Sequence, residues 1–140
     1  PNYVWDEHVE DILSTKDVHF LQGSFVNKTA SLGNRYSYIG KKNKHGQIYT
    51  ARNVVFEPAG QFNNDLVSKV IKQMDRAFKL KKPAIISSHR VNFIGSIFEE
   101  NRTKNLKLLD ELLNKVLKRW PNVEFMHSAQ LGEIIKQDTK

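Results

Sequence analysis

A short, continuously apolar run lies between two amphipathic helical patterns, and this arrangement constrains the fold more than any other feature of the chain. Apolar residues recur at helical spacing before the run, from Leu66 to Phe78, and after it, from Leu106 to Trp120. The run itself, residues 84–86, has the composition of a parallel strand that is buried on both faces. Because strands separated by helices of this length pair in parallel through right-handed crossovers, the sequence predicts an α/β fold.

Weaker signals extend this pattern toward both ends of the chain. Asp6 is a typical helix N-cap, Asn63 or Asn64 is expected to cap the helix that begins near Leu66, and Ser128 is expected to cap a last helix. Further short strands are predicted at residues 18–21, 53–56 and 123–126. About four parallel strands with flanking helices result, too few to close an eight-stranded barrel. The chain therefore reads as an incomplete, parallel-stranded (β/α) barrel-like domain, part of something larger.

Residues 22–52 interrupt the pattern. The segment is rich in Gly, Asn, Ser and Lys, and it is longer than an ordinary connection. We expect a long loop insertion at about residues 23–52, which either has a function or is locally disordered. Aromatic side chains among basic ones, such as Tyr36 and Tyr38 beside Lys41, are able to stack on sugar rings or bases, or simply to pack back on the rim of the fold.

Composition bears on the class of partner. The net charge is +7 and the pI is about 9.6, which invites a nucleic-acid partner. Many of the lysines, however, lie opposite the apolar stripes of the predicted helices, where solvated faces normally carry charge, so nucleic acid is not the favoured partner. No apolar run is long enough to span a membrane. The absence of cysteine excludes disulfides and thiolate metal sites.

Candidate functional residues follow the predicted strands, because ligands bind at the carboxyl ends of parallel strands. Glu57, His89 and His127 occupy such positions. Histidine is best suited to exchange a proton near neutral pH, and Arg90 and Asn92 are suited to hold an oxygen-rich substrate. A structural role for each histidine, as a hydrogen-bond donor to a loop, is the alternative. No histidine spacing typical of a metal site occurs, so no metal ligand is predicted.

The run KPAIISSHRVNFIG, followed by ENRTKNLKLLDELLNKVLKRWPNVEFMHSAQLGEI, resembles the C-terminal part of polysaccharide deacetylase-like proteins. These belong to the glycoside hydrolase/deacetylase β/α-barrel superfamily. The opening PNYVWDEHVEDILSTKDVHFLQ is loosely similar to the segment after the family's Arg-x-Pro-aromatic motif. In that family a late strand ends in a hydrophobic-x-His motif whose histidine is a catalytic acid, and the matching residue here is His89.

The resemblance implies a carbohydrate-active hydrolase that removes acetyl groups from a polysaccharide or oligosaccharide. His89 would donate a proton, and Tyr3, Trp5, Arg90 and Asn92 would shape the substrate pocket. The family's aspartates and metal-binding histidines belong to an N-terminal half that is absent here, so a divalent metal such as zinc is implied for the parent protein and none for this chain, which alone should be inactive. Because the family's Asp-and-Trp motif is not recognisable near Val18, an inactive sugar-binding barrel is the alternative.

Overall fold

The structure is a computed structural model that describes residues 4–29, 33–60 and 65–138. The chain has a mixed α/β fold with small parallel sheets, which confirms the predicted fold class at this level. It divides into two compact units, one drawn from residues 1–52 and 126–140 and the other from residues 53–125. The assignment of both units to one deacetylase-like domain stays a prediction.

The first unit combines two helices with four short strands. They are α1 (Glu7–Ser14), β1 (Phe20–Leu21), β2 (Val26–Thr29), β3 (Gly33–Tyr36), β4 (Ile48–Tyr49) and α4 (Ser128–Asp138). β1 and β4 are parallel, and β2 and β3 form an antiparallel hairpin. Asp6 caps α1 as predicted, because its carboxylate accepts hydrogen bonds from the backbone N–H groups of His8 and Val9.

Residues 22–52 are more regular than predicted, since the hairpin and β4 lie within them. A few of their polar side chains are buried, and two of these make hydrogen bonds inside the unit. The amide of Asn27 donates to the hydroxyl of Ser37 over 3.1 Å, and the amide of Gln47 donates to the carbonyl of Val18 over 2.6 Å. The predicted long loop at about residues 23–52 therefore contains three short strands, and its assignment as an insertion stays a prediction.

The second unit carries the remaining strands and the two long helices. They are β5 (Val54–Val55), a 3₁₀ turn (Pro58–Gly60), α2 (Leu66–Lys79), β6 (Ile86–Ser87), a second 3₁₀ turn (Arg90–Phe93) and α3 (Glu99–Arg119). β5 and β6 are parallel. The apolar stripes of the helices pack on β5 to form one core, whose buried members are Val54, Phe56, Leu66, Val67, Val70, Met74, Leu112 and Val116.

Several predicted elements differ from the observed ones. Within the described residues β6 pairs only with β5, and Ile86 is 36% exposed, so the predicted strand buried on both faces was wrong. Residues 123–126 form no strand, and Phe125 there is 59% exposed. α3 begins three residues before the predicted start at Arg102. The predicted caps Asn63 and Asn64 lie outside the described residues.

The strands in the described parts of the chain form three two-stranded sheets and no closed barrel. Among the same residues, no helix has both the length and the apolar character needed to cross a membrane.

Candidate functional site

Glu57 and His89 lie side by side at one edge of the second unit. Val55 at the end of β5 is opposite Ser87 at the end of β6. Glu57 lies two residues after Val55, and His89 lies two residues after Ser87. The parallel register therefore brings the two side chains together. The Nδ1 atom of His89 lies 2.8 Å from Oε1 of Glu57. This juxtaposition is the one that the strand-end rule predicts.

The contact with Glu57 fixes the chemical role of each imidazole nitrogen in His89. An ionised carboxylate is a hydrogen-bond acceptor only, so Nδ1 is the donor in this pair. Nε2 is then the nitrogen that remains free to accept or donate a proton. The side chain of His89 is 68% exposed and that of Glu57 is 25% exposed, so Nε2 belongs to a ring that a substrate can reach.

Asn92 holds this pair in place from inside the protein. It is 1% exposed, and its Nδ2 donates to Oε2 of Glu57 over 2.7 Å and to the carbonyl of His89 over 2.9 Å. Its Oδ1 accepts from the backbone N–H of Ala59 over 3.0 Å. We predicted substrate binding for Asn92, but all of these bonds are internal, so its observed role is to orient Glu57 and the loop that carries His89.

Two further asparagines fasten the same loop to α3, and sequence reasoning missed both. The Nδ2 of Asn105 donates to the carbonyl of Asn92 over 2.7 Å, and that of Asn101 donates to the carbonyl of Ile94 over 2.9 Å. Asn105 is buried although it lies within an otherwise ordinary helix. A polar residue at a core-facing helical position was the available signal, because a buried amide needs such partners.

The remaining predicted site residues have other surroundings. Arg90 begins the second 3₁₀ turn and is exposed. Tyr3 lies outside the described residues. Trp5 belongs to the first unit, where its indole N–H donates to Glu10 over 2.8 Å.

His127 also belongs to the first unit, at the start of α4. Its backbone N–H donates to Oε1 of Gln130 over 3.2 Å, while its Nδ1 accepts from the backbone N–H of Gln130 over 3.4 Å. This reciprocal pattern is that of a capping box. The capping role predicted for Ser128 therefore falls to His127, and the hydroxyl of Ser128 instead accepts from Gln22.

A second polar cluster surrounds Glu10, which is 1% exposed. Its oxygens accept hydrogen bonds from a set of donors spread over the first unit: Trp5, Arg35, Asn43 and Tyr49. Burial alone would raise the pKa of Glu10, but these hydrogen bonds outweigh burial and hold the pKa below its ordinary value. Burial and the bond to Glu10 raise the pKa of Tyr49. Because every partner is internal, the cluster is structural.

The residues at the candidate site do not fit a catalytic zinc. Such a site takes three protein ligands, whereas Glu57 and His89 supply two potential ligands, and Nδ1 of His89 is already bonded to Glu57. In the described parts of the chain, no group of three or more His, Cys, Asp or Glu residues is placed to hold a metal ion. The arrangement is instead that of a carboxylate-oriented histidine, suited to proton transfer.

Comparisons of the chain with models of protein families, with curated proteins and with solved structures find no match.

Proposed function

We propose that this chain is part of a carbohydrate-active hydrolase that resembles polysaccharide deacetylases, and that it supplies the general acid, His89. The pair formed by Glu57 and His89 at the carboxyl edge of two parallel strands carries this proposal. We further propose that the parallel strands belong to a (β/α) barrel-like fold of the parent protein. The resemblance of residues 83–134 to that family, described above, supports the same function.

The proposed reaction removes an acetyl group from a sugar nitrogen or oxygen. The amine or alkoxide that leaves needs a proton, and the exposed Nε2 of His89 is placed to donate it. The carboxylate of Glu57 accepts a hydrogen bond from Nδ1 and keeps the ring in one orientation. Asn92 holds Glu57 in turn, so that little reorganisation is needed when the proton moves.

The groups that activate water would come from the rest of the parent protein, as the family resemblance implies. The residues at this site supply too few metal ligands, and we assign them no step that involves a metal. Their proposed contribution is confined to proton transfer by His89 and to its orientation by Glu57 and Asn92.

The test is the substitution His89→Ala in the intact protein that contains this chain. With an acetylated chito-oligosaccharide we expect kcat to fall by about 10²–10⁴-fold, the usual contribution of a general acid. The melting temperature should change little, because His89 is mostly exposed. His8→Ala, at another exposed histidine, is the matched control and should leave kcat unchanged.

Equal activity of the His89→Ala variant and the unmodified protein would reject the proposed role of His89. If the unmodified protein binds the oligosaccharide but releases no acetate, the inactive sugar-binding barrel is the better description.

A further inference from the structure

Asn105 places a buried amide within the first two turns of α3. The residue is 2% exposed, and its Nδ2 donates to the backbone carbonyl of Asn92 over 2.7 Å and to Oδ1 of Asn101 over 2.9 Å. The other buried positions of this helix carry Leu112 and Val116. An amide at such a position buries less apolar surface than leucine would, so its value lies in the bonds that it makes.

These bonds hold the second 3₁₀ turn, Arg90–Phe93, against α3. Phe93 packs on the core of the unit, whereas Arg90 and Val91 are exposed and add little packing. The carbonyl of Asn92 accepts from Asn105 and, over a longer distance of 3.4 Å, from Asn101. Asn105 is therefore the closer of these two side-chain donors that fix the position of Asn92.

Asn92 in turn fixes the carboxylate that faces His89. The Nδ2 of Asn92 donates to Oε2 of Glu57 over 2.7 Å, and Oε1 of Glu57 lies 2.8 Å from Nδ1 of His89. In a neutral imidazole one ring nitrogen carries the proton and the other is an acceptor. Because a carboxylate only accepts, its position opposite Nδ1 favours the tautomer that has its proton on Nδ1 and its lone pair on Nε2.

We propose that Asn105 is a positioning residue for His89. By holding Asn92, it keeps Glu57 opposite Nδ1 and so keeps the neutral ring in the Nδ1–H tautomer. This role rests on the function proposed above, in which the imidazolium of His89 gives its Nε2 proton to the leaving group. The other proton then stays on Nδ1, and a proton from solvent returns to Nε2 before the next turnover.

The tautomer is observable without any substrate, by ¹⁵N NMR of the full chain labelled at its histidines. In alkaline buffer, where imidazole rings are neutral, we expect Nδ1 of His89 to resonate as a protonated nitrogen and Nε2 as one with a lone pair. The signals of His89 are those that His89→Ala lacks. Glu57→Leu removes the acceptor and marks the full loss of this preference.

Asn105→Leu is the test, because leucine has the same number and branching of heavy atoms as asparagine but no donor. We expect the ratio of the Nδ1–H to the Nε2–H tautomer of His89 to fall about threefold, which corresponds to the partial loss of one hydrogen bond. Asn105→Ala adds no bulk and gives the same comparison if leucine prevents folding. Val116→Ala, at a buried position of the same helix, is the control: it should lower the melting temperature and leave the ratio unchanged.

An unchanged ratio in the Asn105 variants, or no preference for Nδ1–H in the unmodified chain, would overturn the positioning role. An equal fall in Val116→Ala would also overturn it, because loss of stability alone would then account for the effect. If the ratio falls only in the Asn105 variants while His89→Ala leaves turnover by the intact protein unchanged, the positioning of His89 is supported and the proposed function is rejected.

Discussion

Glu10 and Glu57 both accept several hydrogen bonds, but they differ in what their partners leave open to solvent. The partners of Glu10 come from across the first unit, and they enclose its carboxylate almost completely. One partner of Glu57 is His89, whose side chain is mostly exposed. A buried carboxylate with only internal donors holds elements of the fold together. A carboxylate that orients an exposed histidine is suited to proton transfer.

Glu10→Gln should destabilise the protein at neutral pH by about 3 kcal/mol, because it leaves Arg35 without its buried anionic partner. The pKa of Glu10 is lowered on folding, so its contribution is present above the pKa of the unfolded chain and is lost as the pH falls through the folded-state value. The difference between variant and unmodified protein should therefore shrink below about pH 4.5. Urea unfolding at several pH values measures it.

Glu133→Gln is the control, since Glu133 is exposed in α4 of the same unit. It should change stability by less than about 0.5 kcal/mol at neutral pH. A loss in Glu10→Gln that is the same at pH 7 and pH 4 would show that the charge of Glu10 contributes nothing.

The sequence predicted Glu57 and His89 as neighbours because both follow short strands in a parallel pattern. It could not predict the cluster around Glu10. The donors Arg35 and Tyr49 lie 25 and 39 residues from Glu10 along the chain, and side-chain pairing over such separations leaves no periodic signal.

At the level of elements, α2 and α3 were predictable because each alternates buried and exposed positions over several turns. The short strands were predicted less well. Apolar residues at 123–126 predicted a strand, yet Phe125 and Met126 are exposed, and within the described residues this segment pairs with no strand. A strand forms only where a second strand pairs with it, and a four-residue sequence does not indicate whether such a partner is present.

The backbone conformation at the C-terminal end of α2 leads to a prediction about stability. Lys81 has φ 54° and follows the C-cap Leu80. The backbone N–H of Lys82 donates to the carbonyl of Ala77, and that of Lys81 to Phe78, both over 2.9 Å, which is a Schellman motif. Glycine is the usual residue at such a position, because a left-handed conformation strains a side chain. Lys81→Gly should therefore stabilise the protein by about 1 kcal/mol.

Chemical denaturation of Lys81→Gly measures this gain. Lys82→Gly is the control, because Lys82 has no positive φ and glycine there only adds freedom to the unfolded chain. If both variants are destabilised alike, the conformation at Lys81 is not strained.

At the scale of the whole molecule, the candidate acid lies in a unit whose two strands form one small parallel sheet. The chain has no cysteine, and its five histidines show no ligand spacing in the sequence. The family resemblance implies a metal, but it assigns the metal ligands to the other half of the parent protein. The absence of ligand spacing in this chain and the assignment of the metal ligands to the other half together predict that the isolated chain binds no metal.

The purified and dialysed 140-residue chain should hold no zinc or nickel in stoichiometric amount and should release no acetate from acetylated chito-oligosaccharides. Elemental analysis and an acetate assay measure these quantities. One tightly bound metal ion per chain would show that the chain contains a complete site.

The strained backbone at Lys81 has a practical consequence for protein engineering. Lys81 is the first position to change in a more heat-resistant version of this protein. Glycine there also removes a cation that follows the C-terminus of α2, where positive charge favours the helix dipole. The net gain in melting temperature should therefore be smaller at low salt than at high salt, because salt screens the charge that is lost.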